Sequence, residues 1–309
     1  MARRKLYLPT PLIAATVLVA CAVASLLAVS AEKAGAAFPG GNGRIAFQGS
    51  DDIIYTTDPI NPTGGRTKVA KGEQPSYSSD GTKITFAASD KNDAEIYTIN
   101  PDGTGKFQVT HNNRDDFHPA YSPDGRRIAY TCSDGHDAEI CTISATGGKP
   151  FRVTRNDMLD FGPSWSPGGN RLAYSGVSRT DWEVYTIGAR GGGRFNVTKN
   201  DTYDYYPDYS PNGKKIAYAA KRTRADDTEI RTIKATGGRP FQLTNNRRVD
   251  IAPSYSPDGK RIAYTHYSDP GRPDKAAAIY KIVASGGKGV LVTANGGTGA
   301  LYPSWGSRP

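Results

Sequence analysis

One twelve-residue pattern recurs along the chain at a nearly fixed spacing. Its clearest copy reads Pro-Ala-Tyr-Ser-Pro-Asp-Gly-Arg-Arg-Ile-Ala-Tyr over residues 119–130. The complete and partial copies begin at Pro75, Pro119, Pro163, Pro207, Pro253 and Pro303. The steps between these prolines are 44, 44, 44, 46 and 50 residues. A period in this range is typical of proteins built from repeated supersecondary units.

The sequence of each repeat indicates four antiparallel strands. Tyr121 marks a short first strand, and the Ser-Pro-Asp-Gly turn after it leads into a second strand with Ile128 and Tyr130 on one face. Residues 139–143 alternate as a third strand, and residues 151–154 form a fourth. Four strands in roughly 40 to 45 residues is the pattern of a propeller blade.

The two ends of the chain supply complementary parts of one further blade. Residues 303–306 carry a first strand only, whereas residues 43–70 carry a second, third and fourth. We therefore predict an all-β, six-bladed propeller in which strands from both termini close one blade. The alternative is an open solenoid, which would leave two unpaired sheet edges exposed.

The repeat also resembles a known family. The pattern Pro-Ser-Tyr/Trp-Ser-Pro-Asp-Gly-x-x-Ile-Ala-Tyr, followed by Glu-Ile-Tyr-Thr-Ile, is similar to the TolB-type propeller repeat, which is WD40-like. The resemblance covers residues 41–305. It implies the propeller fold and, because family members include periplasmic interaction proteins, a binding role outside the cytoplasm. Other members carry an attached peptidase domain.

The first 36 residues read as an export segment. Basic residues 3–5 precede the largely apolar stretch 12–29, and residues 34–36 fit a small-x-small cleavage site. We predict an export signal or N-terminal anchor over residues 1–36 and the propeller over residues 37–309. Two alternatives to cleavage are an uncleaved membrane anchor and a lipoprotein attached through Cys21. All three place the propeller outside the cytoplasm, secreted or in the periplasm.

The charge of the chain is compatible with a role outside the cytoplasm and gives little support to nucleic-acid binding. The formal net charge is +9, and it falls to +6 without residues 1–36. Basic pairs such as Arg126-Arg127 and Lys214-Lys215 are dispersed among the predicted turns, which favours an ordinary solvated surface. The alternative is a weak attraction to anionic envelope polymers. We expect a monomer that meets the membrane only through its N-terminal segment.

The loops that precede each first strand contain the candidate binding residues. An aspartate stands three residues before the proline in four blades, and varied aromatic residues accompany it. The predicted ligand-binding residues are Asp116, His118, Asp160, Trp182, Asp204, Tyr206 and Asp250. Their expected ligand is an envelope protein or glycan, held over the central channel. Alternatively, each aspartate caps its own loop, and Trp182 packs between blades.

Catalysis finds little support in the sequence. There is no Gly-x-Ser-x-Gly motif, and the histidines lie in separate loops without metal-ligand spacing. We therefore predict no catalytic residue, no metal and no cofactor. The second hypothesis is a propeller-fold polysaccharide lyase or glycosidase, since such enzymes exist on this fold. The glutamates that begin each third strand, such as Glu139, are expected to bond a neighbouring strand or loop.

Cys132 and Cys141 occupy the second and third strands of one blade. The equivalent positions of the preceding blade hold Ala88 and Tyr97. Because the cysteines replace both members of what we predict to be a directly facing pair, they predict a cross-strand disulfide in an oxidising compartment. The alternative is a pair of free, buried thiols.

Overall fold

The structure, a computed structural model, describes residues 41–61, 65–89, 92–133, 135–178, 181–222, 227–269, 277–293 and 299–308. The predicted export segment, including Cys21, lies outside these ranges. Among the described residues, no helix has the length and apolar character needed to span a membrane.

The described strands form sets of four antiparallel strands, here called blades 1 to 6. One parallel pair, between Thr228 and Val249, joins blades 5 and 6 into a single larger sheet. Blade 1 comprises β24 (Ala300–Ser307), β1 (Asn42–Gly49), β2 (Ile53–Thr57) and β3 (Arg66–Lys71). Blade 2 comprises β4 (Glu73–Tyr77), β5 (Ile84–Ser89), β6 (Ala94–Ile99) and β7 (Phe107–Gln108). Blade 3 comprises β8 (Asp116–Tyr121), β9 (Arg127–Ser133), β10 (Ala138–Ser144) and β11 (Phe151–Arg152).

The remaining blades repeat the same order. Blade 4 comprises β12 (Asp160–Trp165), β13 (Arg171–Val177), β14 (Trp182–Gly188) and β15 (Phe195–Asn196). Blade 5 comprises β16 (Thr202–Tyr209), β17 (Lys215–Arg222), β18 (Thr228–Lys234) and β19 (Phe241–Gln242). Blade 6 comprises β20 (Val249–Tyr255), β21 (Arg261–Tyr267), β22 (Ala277–Val283) and β23 (Val290–Leu291). The predicted all-β fold of four-stranded antiparallel sheets is confirmed.

The first strands of the blades contact one another in a closed ring. Strands β4, β8, β12, β16, β20 and β24 each touch the next, and β24 touches β4. Side-chain hydroxyls reinforce this ring: the Trp305 amide donates to Ser254 Oγ at 3.1 Å, and the Tyr77 amide donates to Ser304 Oγ at 2.9 Å. The second bond joins the C-terminal strand to blade 2, so the last strand occupies the predicted place in the ring.

Two kinds of connection separate the ends of the blades into two faces. Short turns join first to second and third to fourth strands, and we call their side the turn face. The second-to-third loops and the blade-to-blade loops form the opposite side, the loop face. In the turn after β8, Asp124 Oδ1 accepts from Ser122 Oγ at 2.5 Å and from the Arg126 amide at 3.1 Å, while Gly125 takes a φ of 67°. This is the local bonding that the Ser-Pro-Asp-Gly sequence predicts.

The hydrophobic core lies between neighbouring blades. One cluster packs Ala129, Ile140 and Val153 of blade 3 against Trp165 and Tyr174 of blade 4. The repeated Ile-Ala-Tyr of each second strand explains this arrangement, because Ile and Tyr point to one face of the sheet and Ala to the other. Each blade therefore presents a bulky face to the blade before it and a small face to the blade after it.

We expect the C-terminal strand to be essential for stability. Deleting residues 301–309 removes Trp305, which is 5% exposed, and the pairing between β24 and β1. Burial of such an aromatic side chain is worth about 2 to 3 kcal/mol before any lost backbone bond is counted. Urea unfolding should show a lower midpoint for this variant and a nearly unchanged one for deletion of residues 308–309, which lie beyond β24. An unchanged midpoint for the longer deletion would contradict closure by this strand.

Cys132 and Cys141 form a disulfide in the structure. The register pairs Cys132 with Glu139 and Cys141 with Tyr130, so the two cysteines are diagonal neighbours rather than directly opposite. Their Cα atoms are 5.8 Å apart, within the range that disulfides span. The link fastens the two central strands of blade 3.

Peptide mapping by mass spectrometry, without reduction, should find the disulfide-linked pair in the exported protein. Reduction of this bond should lower the free energy of unfolding by about 2 to 3 kcal/mol at most, because the loop it closes is short. Recovery of both cysteines as alkylated thiols from the native oxidised protein would contradict this expectation.

Candidate functional site

The loop face is built on a buried polar network at the junction between successive blades. At the junction of blades 3 and 4, Thr154 Oγ1 donates to Glu139 Oε2 at 2.5 Å, and the Asn156 amide N–H donates to Glu139 Oε1 at 2.6 Å. The Asn156 side chain then donates to Asp160 Oδ2 at 2.7 Å. Glu139 begins the third strand of blade 3, whereas Asp160 begins the first strand of blade 4. The loop asparagine therefore ties the two blades together.

The same network recurs at three other junctions. The asparagine side chain donates to the aspartate at 2.8, 2.6 and 2.7 Å in the pairs Asn112–Asp116, Asn200–Asp204 and Asn246–Asp250. The asparagine backbone donates to the glutamate of the preceding blade at 2.5, 2.8 and 2.7 Å in the pairs Asn112–Glu95, Asn200–Glu183 and Asn246–Glu229. The expected structural role of these glutamates is confirmed.

The four predicted aspartates are consequently buried rather than displayed to a ligand. Asp116 is 2% exposed, and Asp160, Asp204 and Asp250 are fully buried. Each lies inside its own junction, held by a side-chain amide of its own loop. This arrangement resembles the capping alternative, except that the partner is an asparagine side chain. The structure thus gives these residues a place in the scaffold, and their contact with a ligand stays a prediction.

Burial also changes the acidity of these carboxyl groups. Desolvation raises the pKa of Asp116 and Asp160 to about 7 and that of Asp204 to about 6. The glutamate of the preceding blade adds to each rise by charge repulsion. The pKa of Glu183 is raised as well, again chiefly by burial. The folded protein therefore binds protons at these junctions more tightly than the unfolded chain does.

We expect the protein to be more stable at pH 5 than at pH 8. A raised folded-state pKa stabilises the protein fully below about pH 4, and this contribution is lost as the pH rises through 6 and 7. Each aspartate can change the free energy of unfolding by up to about 1.4 kcal/mol per pH unit in that window. Urea titrations at both pH values measure the difference.

The matched control for this pH dependence is the triple variant D116N/D160N/D204N. An amide carbonyl can still accept the bond from the loop asparagine, but it does not titrate. Its stability should therefore change little between pH 5 and pH 8. If the free energy of unfolding of the triple variant changed with pH as steeply as that of the wild type, the titrating groups would lie elsewhere.

An aromatic cluster stands on the same face, centred on Phe161 of β12. The ring of Phe161 lies 5.5 Å from His118, 4.8 Å from Trp182 and 5.4 Å from Tyr206, between ring centroids. Phe161 and Trp182 are partly exposed, while His118 and Tyr206 are buried. The structure therefore unites three of the predicted ligand-binding residues, which belong to three consecutive blades, around a residue that was not predicted.

Two further rings complete this aromatic cluster. Phe117 lies 6.2 Å from His118, and Tyr205 lies 4.9 Å from Tyr206. Phe117, Phe161 and Tyr205 occupy the same position in successive copies of the repeat, two residues before the proline. That run of aromatic residues in blades 3, 4 and 5 was the sequence signal that could have identified Phe161.

Backbone geometry fixes the rings of the aromatic cluster. His118 and Tyr206 directly precede the repeat prolines and adopt left-handed φ values of 54° and 57°. Such values are uncommon for residues other than glycine and need support from the surroundings. The Tyr206 amide donates to Ser175 Oγ of blade 4 at 3.0 Å, and the His118 amide donates to Gln74 Oε1 of blade 2 at 2.8 Å. In each bond the acceptor belongs to the preceding blade, so contacts between neighbouring blades hold the cluster in place.

Blade 6 departs from the others by placing a histidine against its buried aspartate. His266 Nδ1 lies 2.6 Å from Asp250 Oδ1, and the His266 ring lies 4.7 Å from that of Tyr280. The equivalent positions in blades 3, 4 and 5 hold Cys132, Gly176 and Ala220. In the part of the chain that the structure describes, no three His, Cys, Asp or Glu side chains are arranged to hold a metal ion.

Comparison with known proteins identifies the family. The model of the TolB beta propeller domain matches residues 136–308, which is more than half of the chain. The chain belongs to the TolB β-propeller family. Its predicted family resemblance is thereby confirmed. A search of curated protein sequences gives no match.

Solved structures agree on the fold of this TolB-family propeller. TolB from Acinetobacter baumannii is 18% identical with a TM-score of 0.73, and the alignment covers 97% of this chain and 74% of that one. A putative TolB from Agrobacterium tumefaciens is 21% identical with a TM-score of 0.65, covering 86% and 91%. An oligogalacturonate lyase from Vibrio parahaemolyticus is 15% identical with a TM-score of 0.54, covering 82% and 73%. At these identities, the likeness shows the fold alone.

Proposed function

We propose that this TolB-family propeller is an exported, non-catalytic binding scaffold that holds a protein segment or an envelope glycan on its loop face. The aromatic cluster carries this proposal, because it presents partly exposed rings on a rigid backbone. Recognition residues are often found on loops held by such a scaffold. Aromatic side chains are also favoured anchors at interfaces.

The loop face carries exposed charges of both signs. Asp115, Asp157 and Asp201 are exposed in its loops, and so are Arg155, Lys199 and Arg248. Most other acids of these loops, such as Asp116 and Glu139, are buried in the junction network. The exposed charges therefore do not choose between a protein segment and a glycan, and the aromatic rings can anchor either.

Two observations support a location outside the cytoplasm. The N-terminal sequence has the order of an export signal, with a basic start, an apolar stretch and small residues. Independently, the described propeller contains the Cys132–Cys141 disulfide, and disulfides persist in oxidising compartments. The proposal therefore concerns a partner in the cell envelope or beyond it.

We expect Trp182→Ala and Phe161→Ala each to weaken binding at least tenfold. The ligand is the component captured from an envelope extract by the wild-type protein, purified and titrated by calorimetry. Truncating an anchoring aromatic side chain typically costs 2 kcal/mol or more of binding free energy. Phe241→Ala is the matched control, because Phe241 is also exposed but lies at the turn face. Equal affinity of all three variants for the ligand would show that the ligand does not bind at the aromatic cluster.

The enzyme hypothesis has one supporting observation, the His266–Asp250 pair. A histidine bonded to a buried carboxylate can act as a general base, and the fold is shared with an oligogalacturonate lyase. Incubation with polygalacturonate and with peptidoglycan, followed by product chromatography, tests this hypothesis. We expect no turnover. Turnover that His266→Gln abolishes would replace the scaffold proposal with a catalytic one.

A further inference from the structure

The turn face concentrates the basic residues that appear dispersed in the sequence. It includes the ten turns 78–83, 100–106, 122–127, 144–150, 166–171, 188–194, 210–215, 234–240, 256–261 and 284–289. These turns contain 15 Lys or Arg and only 4 Asp, a net charge of +11. The loop face carries exposed charges of both signs, so the excess of positive charge lies on the turn face. The predicted solvated basic residues thus form one face, which favours the alternative of attraction to an anionic surface.

Neighbouring turns contact one another, which makes the basic face continuous. A Cβ atom on Gly169 would lie 3.6 Å from Pro123, and one on Gly259 would lie 3.5 Å from Pro211. Ser79 Oγ donates to the Pro123 carbonyl at 2.7 Å. The charged side chains of blades 2 to 6 thus stand on an arc of contacting turns.

Exposed apolar side chains gather at the same end of the blades. Eight large apolar side chains are strongly exposed among the described residues, and Met158 alone of these lies on the loop face. The other seven are Ile60, Phe107, Phe151, Phe195, Phe241, Val283 and Val290, with exposures from 43% to 72%. Every blade contributes at least one. The turn-face end of the molecule therefore presents apolar as well as basic side chains.

The chain also enters the propeller at the turn face. The Arg308 amide donates to the Gly41 carbonyl at 2.9 Å, and the Asp258 amide, in a Ser-Pro-Asp-Gly turn, donates to Asn42 Oδ1 at 3.2 Å. The apolar sequence 12–29 ends 12 residues before Gly41.

We propose that the turn face docks on an anionic phospholipid surface. Lys and Arg residues near such a surface each strengthen binding about 5-fold, and phenylalanine rings insert between the headgroups of the lipid interface. A soluble polyanion would use the charges but would leave the apolar ring exposed to water. Docking through the turn face leaves the loop face and the aromatic cluster directed away from the membrane and open to a partner.

The experiment uses vesicle co-sedimentation of residues 32–309, the compact unit that contains every described strand and the disulfide. This piece lacks the apolar sequence 12–29, so binding reports on the propeller itself. Vesicles of phosphatidylcholine with about 30 mol% phosphatidylglycerol are compared with pure phosphatidylcholine vesicles, in about 0.1 M and about 0.5 M salt. We expect binding to the anionic vesicles only, and its loss at the higher salt.

Two variants, each lacking four positive charges, locate the binding surface. R126Q/K149Q/K214Q/K260Q removes exposed charges from the turn face, and R155Q/K199Q/R247Q/R248Q removes exposed charges from the loop face. The turn-face variant should bind anionic vesicles about 100-fold or more weakly, whereas the loop-face variant should bind as well as the wild type or better. Matching melting temperatures exclude unfolding as the cause.

Three outcomes would overturn the proposal. The first is equal binding to both kinds of vesicle, and the second is equal weakening by the two variants. The third is retention of inorganic polyphosphate without any vesicle binding, which would assign the basic face to a soluble polyanion. Each result is distinct from a failure of the aromatic cluster to bind a partner, because that experiment concerns the other face.

Discussion

The packing of a bulky sheet face against a small one is the interaction on which the propeller depends. In every full copy of the Ile-Ala-Tyr strand or its close variants, two large side chains point one way and a small one points the other. Tyr174 and Trp165 are fully buried against alanine and valine of the preceding blade. Because neither face is satisfied within its own blade, each blade requires neighbours on both sides. The last strand must therefore return to the first blade, as β24 does beside β1.

The junction network adds polar contacts to this packing, but it also buries carboxyl groups, which is unfavourable for their charged forms. Each Glu–Thr–Asn–Asp arrangement satisfies the loop backbone but brings two carboxyl groups into a buried region. Burial disfavours the charged form of these carboxyl groups and raises the pKa of Asp116 and Asp160, with a smaller contribution from repulsion by the neighbouring glutamate. The same residues that resemble a ligand-binding ring in the sequence are thus explained by the contact between blades.

Function is more reasonably sought where the repeat is broken than where it is kept. Features present in several blades, such as the loop asparagines, serve the scaffold that all blades share. Among the described residues, the aromatic cluster lies where blades 3, 4 and 5 meet, and a histidine faces the buried aspartate in blade 6. The two faces also differ in charge, since each kind of connection carries its own composition. Under the two proposals made above, one propeller would present different chemistry to a membrane and to a partner.

The sequence by itself determined the all-β propeller, the four-strand blade, the pairing of the two termini and the proximity of Cys132 to Cys141. These features follow from local rules: turn chemistry, strand alternation and a fixed period act over a few residues and repeat. The sequence also selected His118, Trp182 and Tyr206 as aromatic residues of one face.

Only the tertiary structure decided which of these side chains meet and which are hidden. Asp116 and its equivalents are buried because the asparagine four residues earlier folds back onto them, and Phe161 becomes central because three blades converge on it. The basic residues form one face because each blade turns its short connections to the same side. Such relations join residues about 44 positions apart, and they depend on how neighbouring blades pack, which no pattern within one repeat encodes.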